Sequence, residues 1–321
     1  MRFLPTEEQV AFVEAVDEIV ADSGGADVAR SWADGDTAAG LALWEQFAEL
    51  GLQGLRVREE EGGFGGTLSD LVVVFERLGH HGVPGPYLET VALLPTLVDD
   101  ATRAELAAGA VATAAVDGVA PAALDAALAT HRFLVRDGAL HRGDIGEELT
   151  SVAPTRRLAR LTPSGTQTPL APDALAAALN EAALAAAAML VGAGERMLTE
   201  AVTYAKVREQ FGRPIGEFQA LKHQLADVRI ALSFARPLVW NAALRFGESD
   251  EDRAISAAKV AAGDAAMLAA RTSLQVHGAI GYTAEHTLRI WLGLAPALAA
   301  TWGTSAFHRA RIAHDILPKE Q

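Results

Sequence analysis

Hydrophobic positions along this chain recur mostly at helical spacing, and one stretch shows it best: residues 204–228, YAKVREQFGRPIGEFQALKHQLADV. Tyr204, Val207 and Phe211 fall at i, i+3 and i+7, which puts them on one helix face. Phe218, Leu221, Leu225, Val228 and Leu232 step by 3, 4, 3 and 4, the stripe of a core-facing helix. Between the two runs, Gly212, Arg213, Pro214, Ile215 and Gly216 break the helix, because proline cannot continue it and glycine favours the turn. The pattern predicts a helical hairpin inside a bundle, with Arg208, Arg213 and Gln219 near its bend.

The same reading extends along the chain. Thr6 followed by Gln9 predicts a capping box ahead of a helix through Val10, Val13, Val16, Asp17 and Val20. Trp44, Phe47, Leu50 and Leu52 form a second amphipathic segment, broken at Gly51. A helix is expected over 68–78, a break over 79–86, and another helix over 87–106. From 108 to 160 the texture changes: 111–116, 132–137 and 139–142 are short and strand-like, and Asp137-Gly138 between two of them is a two-residue hairpin signal. Residues 162–173, TPSGTQTPLAPD, read as a linker. Beyond 174 everything is helical. One long helix is expected over 175–211, softened at Gly192 and Gly194. Others are expected over 218–246 with a kink at Pro237, from about 250 to 277, and over 284–294 and 307–316. The expected organisation is a helical domain (1–107), a small β-containing domain with linker (108–172) and a C-terminal helical bundle (173–321), mostly α overall.

Composition narrows the function. The 321 residues carry a net charge of −14 and no cysteine. An acidic chain is a poor partner for nucleic acid or an anionic membrane. It does not attract anionic ligands in bulk, so any phosphate contact must be local, through a few arginines or helix N-termini. The lack of cysteine excludes thiol nucleophiles, cysteine-ligated metals and disulfides in this chain. No signal peptide is visible at 1–6, and the longest apolar run, 182–193, is too short to span a bilayer. A soluble cytoplasmic protein is the expectation.

No hydrolase, metal or P-loop motif is present. Adjacent His80 and His81 cannot both face one metal on a regular element. The glycine-rich stretch 54–66 lacks a following Lys-Ser/Thr and is flanked by glutamates, so its glycines read as structural. What remains is a C-terminal set: Arg208, Phe211, Gln219 and the turn Gln275-Val276-His277-Gly278-Ala279. In identity and spacing this set resembles the acyl-CoA dehydrogenases, as does WEQFAELGLQGLRVREEEGGFGG with the helix ending ERLG. The resemblance implies that Arg208, Phe211, Gln219, Gln275, Gly278 and Ala279 hold the ADP half of FAD across a subunit interface. Each is chemically suited. Arginine pairs with pyrophosphate through charge-assisted hydrogen bonds, phenylalanine packs on the stem, and the glutamine and glycine-rich turn donate without steric block.

The departures from that family are equally specific. Its catalytic glutamate, which removes the acyl-CoA α-proton, precedes Gly-Thr-Ser near the C-terminus; here that position is Trp302. The other known location falls at Ala183. Glu181 is two residues away, roughly 200° around a helix. Neither tryptophan nor alanine abstracts a proton. Residues 108–160 are shorter than the family's β-domain, lack its isoalloxazine segments, and Ala306 follows Ser305 where a polar residue is usual. The resemblance therefore implies a short, base-lacking subunit of the heterotetrameric (two copies of each chain) acyl-CoA dehydrogenases of actinobacteria, several of which act on steroid side-chain CoA thioesters. A longer partner subunit would supply the glutamate, FAD would be shared at the interface, and an electron-transfer flavoprotein would take the electrons. Two alternatives stay open: a self-sufficient homo-oligomer using Glu181, and a flavin-free helical assembly protein.

Overall fold

The computed structural model describes residues 3–283 and 285–317. The readings that fall on residues 1–2 and on Ala284 as a helix start lie outside these residues. The capping box at Thr6 forms: its Oγ1 accepts from the Gln9 backbone N–H at 3.2 Å and the Gln9 side chain accepts from the Thr6 N–H at 2.9 Å. It opens α1 (Glu7–Asp22), which is followed by α2 (Ala26–Ala33), α3 (Ala38–Glu49) and α4 (Leu68–His81). A second capping box, Thr67 with Asp70, starts α4. Gln9 Nε2 donates to Asp70 Oδ1 at 2.7 Å and so ties the two capped ends together.

The single helix expected over 87–106 is instead three pieces: a π-helical turn (Leu88–Leu93), a 3-10 turn (Leu94–Thr96) and α5 (Asp100–Ala107). Pro95 has no N–H to donate to the ladder, and Asp99 starts afresh by accepting from the Thr102 N–H at 2.8 Å.

The middle of the chain is a five-stranded sheet in the order β1-β3-β4-β5-β2. The strands are β1 (Ala112–Val116), β2 (Ala123–Leu124), β3 (His131–Arg136), β4 (Ala139–Leu149) and β5 (Leu158–Pro169). The Asp137-Gly138 hairpin is present, with φ of 51° and 72° at the two positions, as a type I′ turn requires. The linker expected over 162–173 is a correction. Most of it is β5, paired antiparallel with β4 as far as Pro169. Only Leu158 and Ala159 of β5 also pair with β2. The rest is therefore an edge, where proline costs no ladder bond. Gly165, at φ 67°, sits where the register slips between His141 and Arg142.

Helix α6 (Pro172–Val207) runs unbroken for 36 residues. Its glycines do not soften it; they let neighbours approach. A Cβ at Gly192 would lie 1.8 Å from the Glu76 carbonyl oxygen of α4, and a Cβ at Gly79 of α4 would lie 2.1 Å from the Met189 carbonyl oxygen. Helix α6 is long and apolar enough to cross a bilayer, yet 72% of that apolar window is buried inside the fold, the position of a core helix. The helix ends at Val207, so Phe211 does not share its face as the spacing suggested. A two-residue ribbon follows, β6 (Glu209–Gln210) with β7 (Arg213–Pro214), and then α7 (Gln219–Leu244), which runs through Pro237. Helix α8 (Glu251–His277) packs on both α6 and α7. The helix expected over 284–294 is displaced: α9 (Arg289–Ala300) begins later and continues through Pro296. Helix α10 (Ser305–Ile316) closes the described chain.

One apolar core joins side chains from the first helices, the sheet and the bundle, among them Phe47, Phe75, Phe133, Leu190 and Trp291. Two substitutions test the close crossing. Gly192→Ala and Gly263→Ala both replace a helical glycine, gaining about 1 kcal/mol of helix propensity. At Gly263 a Cβ meets only Ala299 Cβ, at 3.8 Å. Gly263→Ala is expected to leave stability unchanged or raised. Gly192→Ala is expected to lower it by about 1–3 kcal/mol through overpacking, read from urea midpoints.

Candidate functional site

Two regions carry the residues that the sequence singled out. The first is one end of the bundle, where α6 stops, α7 starts and α8 stops. Ala201, Ala205 and Val276 are buried there, with Tyr204, Ile215, Leu221 and Leu225 packed against them. The His277 ring stacks on Tyr204 at 4.5 Å and holds the ends of α6 and α8 together. Arg208 is the C-cap of α6; its N–H donates to Tyr204 O and its own carbonyl accepts from the Ile215 N–H at 2.8 Å, which closes the ribbon.

The predicted side chains at this end face solvent. Arg208, Gln219, Gln275, Gly278 and Ala279 are all exposed. Arg208 makes no ion pair with Glu209 or Asp227 among the described residues. Phe211 is 93% exposed and sits at φ 54°. That is an uncommon, strained conformation for an aromatic residue. Gly278 ends α8 at φ 63° with nothing within 4 Å of where a Cβ would stand. The corner thus offers an unpaired guanidinium, an exposed aromatic ring and an open glycine turn, a set that fits an ADP-like group. Nucleotide contact by these six residues remains a proposal.

The second region holds Ala183 and Trp302, the two positions at which the resemblance implies a proton-abstracting acid. Ala183 is buried in α6. Trp302 is 1% exposed, lies between α9 and α10 at φ 53°, and its Nε1 has no hydrogen-bond partner. Its carbonyl accepts from His308 Nε2–H at 3.1 Å, which fixes that tautomer and leaves Nδ1 to accept from the Ser256 hydroxyl at 3.1 Å. Burial, and then the nearby Lys259, push the His308 imidazole down to about 4, so it is neutral. Lys259 donates to the carbonyls of Leu298 and Ala299 at 2.9 and 3.1 Å, and more weakly to that of Gly303. Burial pushes its ammonium down to about 7. Thr304 caps α10 by accepting from the Phe307 N–H. The loop 301–305 is therefore pinned by buried groups and offers no carboxylate.

Glu181, the acid considered in their place, is committed elsewhere. Its two oxygens accept from Arg56 Nε at 2.9 Å and Nη2 at 3.0 Å, and Arg56 also donates to the Gly66 carbonyl. This bidentate pair clamps the glycine-rich stretch to α6. The glycines there are structural, as expected: a Cβ at Gly63 would lie 2.2 Å from Val57 O. No cluster of metal-ligating side chains occurs among the described residues.

The comparisons with known proteins bear on this geometry. Residues 6–105 match the acyl-CoA dehydrogenase N-terminal domain and residues 173–317 the C-terminal domain. The chain is 36% identical over 298 residues to the acyl-CoA dehydrogenase IpdE2 of Mycobacterium tuberculosis, covering 89% of this chain and 90% of that one. This chain belongs to the acyl-CoA dehydrogenase family. It is 31% identical to the IpdE2 of Mycolicibacterium smegmatis over 93% of its own length and 95% of the relative's. Among solved structures, one chain of the ChsE4–ChsE5 complex from M. tuberculosis superposes with a TM-score of 0.86 at 22% identity, covering 100% of this chain and 100% of that one. The butyryl-CoA dehydrogenase of Megasphaera elsdenii gives 0.83 at 19% identity, covering 99% of this chain and all of that one. At such identities these structures speak for the fold.

Sequence reasoning missed Lys259 and His308. A lone lysine on the stripe Ile255, Lys259, Ala262, Ala266 was the available signal, since a charge on a buried face needs partners. His308 generates a pH test. Its folded value lies below the ordinary 6.5, so the unfolded chain binds more protons between pH 6.5 and 4. Against the opposing raised carboxyls of Glu89 and Asp125, the His308 contribution to stability is lost as pH drops through that window. His80, pushed down to about 3 by burial, acts in the same direction. Relative to wild type, His308→Gln is expected to be favoured progressively as pH falls from 6.5 to 4.5, measured as the difference in urea-unfolding stability at pH 4.5, 5.5 and 6.5.

Proposed function

We propose that this chain is the base-lacking subunit of an FAD-dependent acyl-CoA dehydrogenase assembled from two kinds of chain. A single observation carries the reading: both family positions for the catalytic glutamate hold buried residues that cannot take a proton, Trp302 and Ala183, and the nearby Glu181 is held by Arg56. A longer partner subunit would supply the glutamate, the isoalloxazine contacts and the acyl pocket. This chain would supply Arg208, Phe211, Gln219, Gln275, Gly278 and Ala279 to the ADP half of FAD, and the bundle surface of the assembly. Bound FAD would supply the two-electron acceptor for α,β-desaturation. The residues of this chain would bind and orient it, Arg208 by charge and Phe211 by apolar contact.

The exposed strain at Phe211 supports an interfacial role, because a buried partner surface would offset both its exposure and its φ. The fold-level likeness to a two-chain complex, ChsE4–ChsE5, supports the assembly. A steroid acyl-CoA dehydrogenase, Tcur3481–Tcur3483, superposes with a TM-score of 0.83, which supports a steroid side-chain CoA thioester as substrate. The reading places the complex in the cytoplasm and passes its electrons to an electron-transfer flavoprotein.

Expressed alone, the chain is expected to lack visible flavin absorbance and dehydrogenase activity; co-expressed with the partner it should gain both. A yellow, active homo-oligomer of this chain would overturn the reading. In the complex, Arg208→Ala is expected to weaken flavin binding about 10- to 100-fold, the worth of hydrogen bonds to a charged group. An unchanged flavin content would favour a flavin-free assembly role. Glu181→Gln is expected to lower stability by about 1–3 kcal/mol, since it removes the counter-charge of the half-buried Arg56, while turnover of the folded complex stays intact. Loss of turnover with retained stability would instead make Glu181 a base.

A further inference from the structure

Helix α9 starts at Arg289 without a capping side chain at Leu288. The N–H groups at a helix start still need acceptors. Leu288 is fully buried, so water does not serve its N–H. Among the described residues that N–H has one acceptor, the Nδ1 atom of His286, at 3.1 Å. A ring nitrogen accepts only while it carries no proton. The bond therefore requires the neutral His286 ring, with its proton on Nε2.

A second histidine stands against the first. The His277 and His286 rings meet edge to face with their centroids 4.9 Å apart. His277 is buried, donates its Nδ1–H to the Ser273 carbonyl at 2.8 Å and lies on Tyr204 of α6. Burial first, and then the neighbouring His286, hold the His277 imidazole below its ordinary value. His286 is only half-buried, so it is the ring that protons from solvent reach. The charged groups around the pair are few. From α6 comes Glu200, already paired with Arg196 at 2.8 Å. From α9 comes Arg289, beside Asp34 of α2 at 3.4 Å. Arg271 of α8, Tyr282 and Glu285 of the connecting segment, and Lys222 and His223 at the start of α7 are all exposed. Neither ring makes an ion pair among the described residues.

We propose that His286 is an acid-sensitive latch on the segment 278–288: a second proton has only Nδ1 to bind, and there it removes the acceptor of the Leu288 N–H. Protonation and the hydrogen bond are mutually exclusive. The latch is closed near neutrality and opens as pH falls through the histidine range. The stability held by the bond is present above that range and lost below it. The opening is local, because the crossing of α4 and α6 takes no part in it. The inference does not rest on the partner-subunit reading. Under that reading, the same opening would loosen Gly278 and Ala279 from the flavin in acid.

Hydrogen exchange read by mass spectrometry tests this on the full chain, with any partner chain that co-purifies, at pH 7.5 and 5.0. Rates are corrected for the intrinsic pH dependence of exchange. Protection of peptides within 285–292 is expected to fall about tenfold at pH 5.0, the worth of one buried hydrogen bond. Peptides from the α4–α6 crossing should keep theirs. His286→Asn offers a carboxamide oxygen to the same N–H, as in an Asx turn, and does not titrate. It should stay protected at both pH values, whereas His286→Ala should be unprotected at both. His277→Phe keeps a ring on Tyr204 and should respond to pH as the wild type does. A wild-type segment indifferent to pH, a pH response that survives His286→Asn, or one abolished by His277→Phe would each overturn the latch. If His286→Asn does not fold, His286→Ala decides: at pH 7.5 it should show the low protection of the wild type at pH 5.0, and full protection would overturn the latch.

Discussion

The structure depends on one close crossing. Helices α4 and α6 meet backbone to backbone at Gly79 and Gly192, where a single added carbon has no room. Such contact is possible because alanine and glycine dominate the middle of α6. The small residues give up side-chain area, and they gain a shared interface that joins the N-terminal helices to the bundle in one core. Everything placed by α6 inherits that rigidity: Glu181, which clamps the glycine-rich stretch through Arg56, buried Ala183, and the last turn that leads to Arg208 and the ribbon.

The loop 301–305 shows a second use of buried polarity. Here a lysine and a histidine, both nearly inaccessible, spend their hydrogen bonds on backbone carbonyls around Trp302. Burial holds the histidine neutral, so its donor and acceptor are both satisfied by fixed partners. The family resemblance implies that this loop is one of two places for the reactive carboxylate. In this chain the same position is a tryptophan locked at positive φ, and the loop's polar groups serve its own conformation. The arrangement is self-consistent as structure and offers nothing to an acyl α-proton.

How much of this was legible in the sequence follows from the range of the forces. Capping at Thr6 and the Asp137-Gly138 turn are local, set within three residues, and both were readable. The stripe from Phe218 to Leu232 was readable too, since periodicity reports which face meets the core. The edge strand β5 was not. Its threonines, prolines and glycine have the composition of a linker, and only pairing with β4, more than ten residues away, makes them a strand. The Arg56–Glu181 clamp spans 125 positions, and nothing local announces it. The candidate site divides in the same way. Its residue identities came from the family resemblance, whereas their exposure, and the burial of Trp302, came from tertiary packing alone.

That division bears on function. A flavin site complete within one chain would bury its aromatic stem contact and expose its acid to substrate. Here the polarity is reversed: Phe211 is in solvent at a strained φ, Arg208 lacks a counter-ion among the described residues, and the positions for the acid are sealed in the core. Exposed apolar surface and an unspent guanidinium are costs to an isolated chain that only a ligand or a neighbouring surface offsets. At the sealed acid positions alanine and tryptophan fill the core, and the cost there is confined to the Trp302 Nε1 left without a partner. The two halves of the candidate site therefore point the same way: this chain is finished where chemistry would occur and unfinished where another molecule would touch it.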